Sequence, residues 1–287
     1  MTNFNEMGLD QSILKGIESL GFVNATEIQS QAIPKILSSK NDLIALAQTG
    51  TGKTAAFSLP ILQQIDLSDR SVQTLVLCPT RELCIQIAKD MVSYCKFVSG
   101  LRVTAVYGGA AIVNQIKELR SGSQIVVGTP GRVNDLIRRK VLKIESIKYL
   151  VLDEADEMLN MGFKEELDEI LVTTPEEKQT LLFSATMPKE IAKIAEKYMH
   201  DPDRIEVGTR NSGSDQIAHE YYMVHAKDRY QVLKRLADIN PNIYGIVFCR
   251  TRQETKDIAD KLIHDGYNAD ALHGDLSQAQ RDHVMNR

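Results

Sequence analysis

The sequence has no long apolar run. No stretch in its 287 residues approaches the roughly 18 apolar residues of a membrane-crossing helix. Its first residues, Met1-Thr2-Asn3-Phe4-Asn5-Glu6, have neither a basic region nor an apolar core, so a secretory signal is not expected. Cysteine is scarce. Cys78, Cys84, Cys95 and Cys249 form no C-x-x-C pair, which argues against a structural zinc site or a disulfide framework. Buried, reduced thiols of a cytoplasmic protein are expected instead. Positive charge is not in excess either, since 34 Lys and Arg face 38 Asp and Glu for a net charge of −4. Any binding to nucleic acid must therefore come from local groups rather than from the field of the whole chain. The remaining composition, 43% hydrophobic and 25% charged, is that of an ordinary globular protein, and it excludes a disordered, collagen-like or coiled-coil chain.

The length suggests about two domains. Short β-rich runs alternate with helix-length segments. Strands are expected at Leu43–Ala47, Thr74–Cys78, Val103–Tyr107, Gln124–Gly128, Tyr149–Leu152, Thr180–Phe183 and Arg204–Val207. These runs lack polar alternation, as strands covered on both faces do. The alternation implies an α/β fold with a parallel sheet covered by helices. Residues 208–216 are small, polar and rich in turn formers, and read as a linker. The β/α pattern then restarts, with strands expected at Glu220–His225, Gly245–Cys249 and Asn268–Leu272. Helices are expected at Asp228–Ile239, at Arg252–Asp265 and from near Ser277. The expected organisation is one domain over 1–207, the linker over 208–216 and part of a second domain over 217–287. A segment as short as the last buries only about 60% of its unfolded surface.

Two segments carry recognisable chemistry. Gln48-Thr49-Gly50-Thr51-Gly52-Lys53-Thr54 lies between a strand and a helix pattern, the context of a phosphate-binding loop. Glycines let backbone N–H groups approach phosphate oxygens, and the helix N-terminus adds partial positive charge. Lys53 suits the β/γ-phosphates and the Thr54 hydroxyl suits Mg²⁺. The first glycine of the usual loop pattern is replaced by Ala47. Asp153-Glu154-Ala155-Asp156 follows an apolar strand, which delivers carboxylates to the strand end where α/β ligands bind. Asp153 is placed to hold Mg²⁺ and Glu154 to orient or deprotonate an attacking water. On its own the acidic box could equally be a helix N-cap with an acidic first turn. Together with Lys53 and Thr54, it completes a nucleotide–Mg²⁺ site.

With these segments, Gln29, Pro79-Thr80-Arg81-Glu82-Leu83, Gly108-Gly109, Thr129-Pro130-Gly131-Arg132 and Ser184-Ala185-Thr186 stand in a fixed order. In that order and spacing the chain resembles the DEAD-box ATP-dependent RNA helicases of superfamily 2, essentially over its whole length. The resemblance implies two RecA-like P-loop NTPase domains flanking a cleft, with ATP–Mg²⁺ and RNA bound across both. It implies that Gln29 reads the adenine edge and that Phe4 stacks on the base. The prolines usual around this glutamine are absent from Asn24–Gln29. Ser184 and Thr186 would link the γ-phosphate state to closure of the RNA site. Arg81, Gly109, Thr129, Gly131 and Arg132 would hold the backbone of one RNA strand. In the second segment Thr251, Gln278 and Arg281 match further RNA-contacting positions.

The implied function is ATP-dependent, sequence-independent binding of single-stranded RNA and local separation of short duplexes. Partners in ribonucleoproteins are possible in such a family and none is named by the sequence; no membrane partner is expected. The later motifs of the second domain, with their arginine fingers, have no match in 217–287. A missing finger costs about 10³–10⁵ in turnover, so these 287 residues alone are expected to be poorly active. The alternatives are an ATP-gated RNA clamp or ribonucleoprotein-remodelling platform, a P-loop NTPase acting on DNA or protein, and a fragment whose second domain is frayed.

Overall fold

Residues 2–208, 217–285 and 287 are described by a computed structural model. The seven apolar runs of the first segment form seven strands: β1 Leu43–Leu46, β2 Thr74–Leu77, β3 Val103–Val106, β4 Ile125–Gly128, β5 Tyr149–Asp153, β6 Gln179–Ser184 and β7 Asp203–Glu206. Each bound lies within one residue of its expectation. All pairings are parallel, in the order β3-β4-β2-β5-β6-β1-β7. Parallel neighbours need crossover connections. While α1 Gln11–Glu18 and α2 Glu27–Ser38 precede β1, helices supply the crossovers: α3 Lys53–Gln63, α4 Arg81–Tyr94, α5 Ile112–Arg120, α6 Pro130–Arg138, α7 Ala155–Asn160 with α8 Lys164–Thr173, and α9 Lys189–Tyr198.

The unbroken apolar runs follow from burial on both faces. Val76, Val151, Leu181 and Phe183 join one core with Ile28 and Ile33 of α2, Phe57 of α3 and Met91 of α4. Their neighbours Leu75, Leu77, Leu150, Leu152 and Leu182 join a second core with Val133 of α6, Ile170 of α8 and Ile191 of α9. Alternate residues of one strand thus serve opposite layers, leaving no solvent face to carry polar residues.

One residue, through its carboxylate and its main-chain carbonyl, ties the amino-terminal ends of three strands together. Asp42, just before β1, accepts from the backbone N–H of Thr180 in β6 at 2.6 Å and of His200 at 2.8 Å, and its carbonyl accepts from Asp203 N at the start of β7. Burial raises the Asp42 carboxyl above its ordinary value, against the lowering effect of the two N–H donors.

The chain divides into two compact units, Met1–Ser212 and Gly213–Arg287. Of the expected linker 208–216, all but Gly208 lies outside the described residues. The second unit contains α10 Arg229–Ile239, α11 Arg252–His264 and α12 Gln278–Met285, close to the expected helices. Its expected strands at Glu220–His225, Gly245–Cys249 and Asn268–Leu272 do not form among the described residues. A strand exists only by pairing, and these segments have no ladder partner here. Their side chains show the consequence: Phe248 is 91% exposed and neighbouring Tyr244 99%. Cys249 is likewise only partly buried, whereas Cys78, Cys84 and Cys95 are buried and all four are free thiols. Among the described residues no helix is long and apolar enough to cross a membrane.

Removing the Asp42 carboxylate leaves two inward-facing N–H groups without their acceptor. D42A should destabilise the first unit by about 3 kcal/mol, read from urea unfolding followed by far-UV circular dichroism. A loss below about 0.5 kcal/mol would show that water replaces the carboxylate.

Candidate functional site

Because every strand runs the same way, every motif-bearing loop leaves the same edge of the sheet. The strand order sorts them. The phosphate-type loop follows β1, Ser-Ala-Thr follows β6 and the acidic box ends β5, and these three strands are consecutive neighbours. Pro-Thr-Arg-Glu-Leu follows β2, Gly-Gly follows β3 and Thr-Pro-Gly-Arg follows β4, and these are also consecutive. The edge is therefore divided into two halves meeting between β2 and β5.

On the β1 side, Gly50 and Gly52 adopt φ of +78° and +90°, values that residues with a Cβ rarely take. No side chain caps α3, which begins at Lys53. Its first-turn N–H groups are thus placed to meet an anion. Lys53 is buried and donates from Nζ to Ala47 O at 2.9 Å. Gln48, Thr49 and Gly50 are exposed, Thr54 is half-buried, and Thr51 donates its hydroxyl to Gln48 O at 2.7 Å.

Asp153 is 2% exposed. Burial pushes its carboxyl up to about 7, while Lys53 draws it down and Glu154 raises it further. Glu154 sits at φ +51°, ψ 49°, a left-handed conformation unusual for a residue with a side chain. Its N–H meets Asp153 Oδ1 at 3.1 Å. This backbone turn aims successive carboxylates in different directions within one residue, and left-handed non-glycine residues cluster at functional sites. Asp156 locks the box to the loop after β6. Its Oδ2 accepts from Thr186 N at 2.9 Å and Thr186 Oγ1 at 2.6 Å, and its N–H donates to Ser184 Oγ at 3.3 Å. Burial raises the Asp156 carboxyl, but the hydrogen bonds from Thr186 and Ser184 outweigh it and leave a lowered value.

Gln29 is buried beside the phosphate-type loop. Its Oε1 accepts from Thr26 N at 2.9 Å, closing the capping box of α2, and its Nε2 donates to Gly52 O at 3.1 Å. Each end keeps one further hydrogen-bonding capacity, as an amide allows. A Cβ at Gly52 would lie 2.4 Å from Gln29 Nε2. Phe4 is buried and stacks on Phe22, with ring centroids 6.3 Å apart. It is thus a core aromatic here, presenting little ring surface to a base.

On the other half of the edge, the Arg81 guanidinium lies 5.0 Å from the centroid of the Tyr107 ring. Arg132 donates to Gln115 Oε1 at 2.7 Å and Ala110 O at 3.2 Å. Gly109 has φ +78°, Thr129 is buried at the start of α6, and a Cβ on Gly131 would meet nothing within 4 Å. Tyr107 and Gln115 carry no motif. Sequence reasoning missed both, although Gln115 stands at helical spacing among Ile112, Ile116 and Leu119. In the second unit Thr251 caps α11 by accepting from Glu254 N at 3.1 Å, Gln278 donates to Asp282 at 2.9 Å, and Gln278 and Arg281 share α12.

The sequence matches the DEAD/DEAH box helicase family over residues 26–194 and the helicase conserved C-terminal domain over 228–287. The chain belongs to the DEAD/DEAH box helicase family. It is 47% identical to the ATP-dependent RNA helicase CshA of Listeria monocytogenes, covering all of this chain and 55% of that protein. It is 45% identical to CshA of Geobacillus kaustophilus, covering all of this chain and 61% of the relative. The chain thus spans little more than half the length of these curated relatives. Among solved structures, a DEAD box protein from Methanococcus jannaschii matches with a TM-score of 0.70 and 42% identity, over all of this chain and 77% of that one. Dbp5 L327V of S. cerevisiae, bound to RNA and ADP BeF3, matches with a TM-score of 0.90 and 32% identity, over all of this chain and 73% of that one. The first unit of this DEAD-box chain is accordingly a RecA-like P-loop NTPase fold.

The Asp153 value of about 7 lies above the ordinary 3.8. Its contribution to stability is therefore fully present below 3.8 and lost as pH rises through 7. About 2–3 kcal/mol of that loss falls between pH 5 and pH 8. In ligand-free protein, D153N should remove this part of the pH dependence in urea unfolding. An unchanged difference between wild type and D153N at the two pH values would show that Asp153 is ionised throughout.

Proposed function

We propose that the chain is the nucleotide-binding and RNA-gripping part of an ATP-dependent RNA helicase. The observation that carries this reading is the sorting of the carboxyl edge into two halves, one bearing the phosphate-type loop, the Ser-Ala-Thr loop and the acidic box, the other the Arg81, Gly109 and Arg132 loops. The RNA and nucleotide bound to Dbp5 support it by likeness.

The residues present fit ATP–Mg²⁺. An uncapped helix start and a buried ammonium suit phosphate, and a carboxylate buried near that ammonium suits a cation. Among the described residues no cluster of three or more His, Cys, Asp or Glu could hold a metal by itself. That accords with Mg²⁺, which binds through one or two protein oxygens together with phosphates. Bound ATP–Mg²⁺ supplies the phosphoryl group whose transfer to water drives the cycle. In this reading Gln48 to Thr54 and Lys53 hold the phosphates, Thr54 and Asp153 hold the metal, and Gln29 reads the adenine edge. Phe4 would reach the base only if its stacking on Phe22 is rearranged. Glu154 orients the attacking water and takes its proton. Ser184 and Thr186 transmit the state of the acidic box to the strands beside it.

Arg81, Gly109, Thr129, Gly131 and Arg132, with Thr251, Gln278 and Arg281 of the second unit, would hold one RNA strand by its backbone. Guanidinium, hydroxyl and N–H groups grip phosphates without reading bases. Closure of the two units around that strand bends it, so a short duplex opens locally. Such closure requires nucleotide to bind the closed state more tightly than the open one. The second unit holds no residue matched to an arginine finger, so the 287 residues alone turn ATP over slowly. The free thiols accord with a cytoplasmic setting.

K53A should weaken binding of a fluorescent ATP analogue at least about tenfold, and ATP should displace that analogue from wild type better than GTP. Unchanged affinity in K53A would overturn the nucleotide reading. Strong RNA-stimulated hydrolysis together with duplex separation by these 287 residues would overturn the claim that they are poorly active alone.

A further inference from the structure

Both arginines assigned to the RNA half lean on one short segment, Tyr107 to Gln115, in which only Gly108-Gly109 belongs to a motif. Tyr107 offers its ring to the Arg81 guanidinium. Its carbonyl accepts from Gln115 Nε2 at 3.1 Å. Gln115 Oε1 in turn accepts from Arg132 Nη1 at 2.7 Å, while Arg132 Nη2 reaches Ala110 O at 3.2 Å. Gln115 is 5% exposed, so both ends of its amide make their bonds away from bulk water. An amide buried on an apolar helix face is costly unless both ends are satisfied. Here the two partners are a strand-end carbonyl, immediately before Gly108-Gly109, and a guanidinium in the first turn of α6, which follows the neighbouring strand.

We infer that Gln115 is a positioning residue for RNA binding, acting through Arg132. Arginine is long and flexible, and its grip on phosphate depends on how much of its freedom is already removed. Two acceptors, Gln115 Oε1 and Ala110 O, take one N–H on each terminal nitrogen. They fix the plane of the guanidinium and leave three of its five N–H groups for phosphate oxygens. Anchoring Gln115 on Tyr107 O makes that plane a property of the β3–α5 connection. Arg81, held over the Tyr107 ring, is referred to the same connection. The two guanidinium groups are thereby kept in fixed relation, as a regular phosphate spacing requires. Gln115 itself does not touch RNA.

This inference rests on Arg132 being an RNA-backbone contact, and a double-mutant cycle separates the two claims. Affinity for a short fluorescein-labelled single-stranded RNA is measured by anisotropy at several low salt concentrations, using the 287-residue chain and its R132M, Q115M and Q115M/R132M variants. R132M should weaken binding about tenfold and reduce the salt slope by about one unit. Q115M, which keeps the length of the side chain but neither hydrogen bond, should weaken binding about threefold to tenfold. In the R132M background Q115M should add nothing, because the residue it positions is gone. Binding of a fluorescent ATP analogue and the melting temperature serve as controls and should stay near wild type. If Q115M does not fold, Q115A repeats the cycle, since it leaves a void and no clash. An R132M variant with unchanged RNA affinity overturns the underlying RNA reading and this inference with it. A weakened R132M beside an unchanged Q115 variant, or additive effects in the double variant, leaves the RNA reading standing and overturns the role of Gln115.

Discussion

The parallel direction of all seven strands is the constraint on which the rest depends. It forces crossover connections, which cover both faces of the sheet and leave its inner strands mainly apolar, whereas β7 at the sheet's edge carries Asp203, Arg204 and Glu206. It also collects every strand's carboxyl end at one edge. A loop there needs only a few residues to reach its neighbour's loop, so chemistry can be assembled from segments far apart in sequence. Lys53 and Asp153 are a hundred residues apart in the chain, yet the charge of one shifts the other. Asp42 performs the corresponding service at the opposite edge, holding strand starts that carry no chemistry.

The parts of this molecule legible in its sequence are those decided locally. The strands of the first unit could be placed within a residue because two-sided burial leaves a run of β-branched and aliphatic residues with sharp ends. The phosphate-type loop was legible because left-handed backbone demands glycine at positions 50 and 52. The second unit shows the limit of the same rule. Its apolar runs at 220–225, 245–249 and 268–272 have strand composition, but pairing is a property of neighbours, and the runs remain unpaired. Its helices, whose hydrogen bonds are internal, form where expected.

What the sequence could not show was adjacency. Nothing in the order of motifs along the chain tells that β5, β6 and β1 stand side by side, or that β2 separates β4 from β5. That order alone turns six scattered motifs into two halves of one edge. Phe4 illustrates the same blindness from the other direction. An aromatic upstream of the glutamine invites a stacking role, while the fold has already given its ring to Phe22. Asp42, Tyr107 and Gln115 escaped notice because a single polar residue acquires meaning only from what the fold sets against it.

The contact between Gln29 and Gly52 also couples two segments 23 residues apart in the chain. A side chain at 52 would strike the Gln29 amide at 2.4 Å and stand 3.2 Å from Thr26 Oγ1, and Gln29 is the residue that closes the Thr26 capping box. A side chain at position 52 therefore disturbs the start of α2 as well as the loop it stands in. Thr26, Gln29 and Gly52 are thus packed as one unit that ties the start of α2 to the loop after β1.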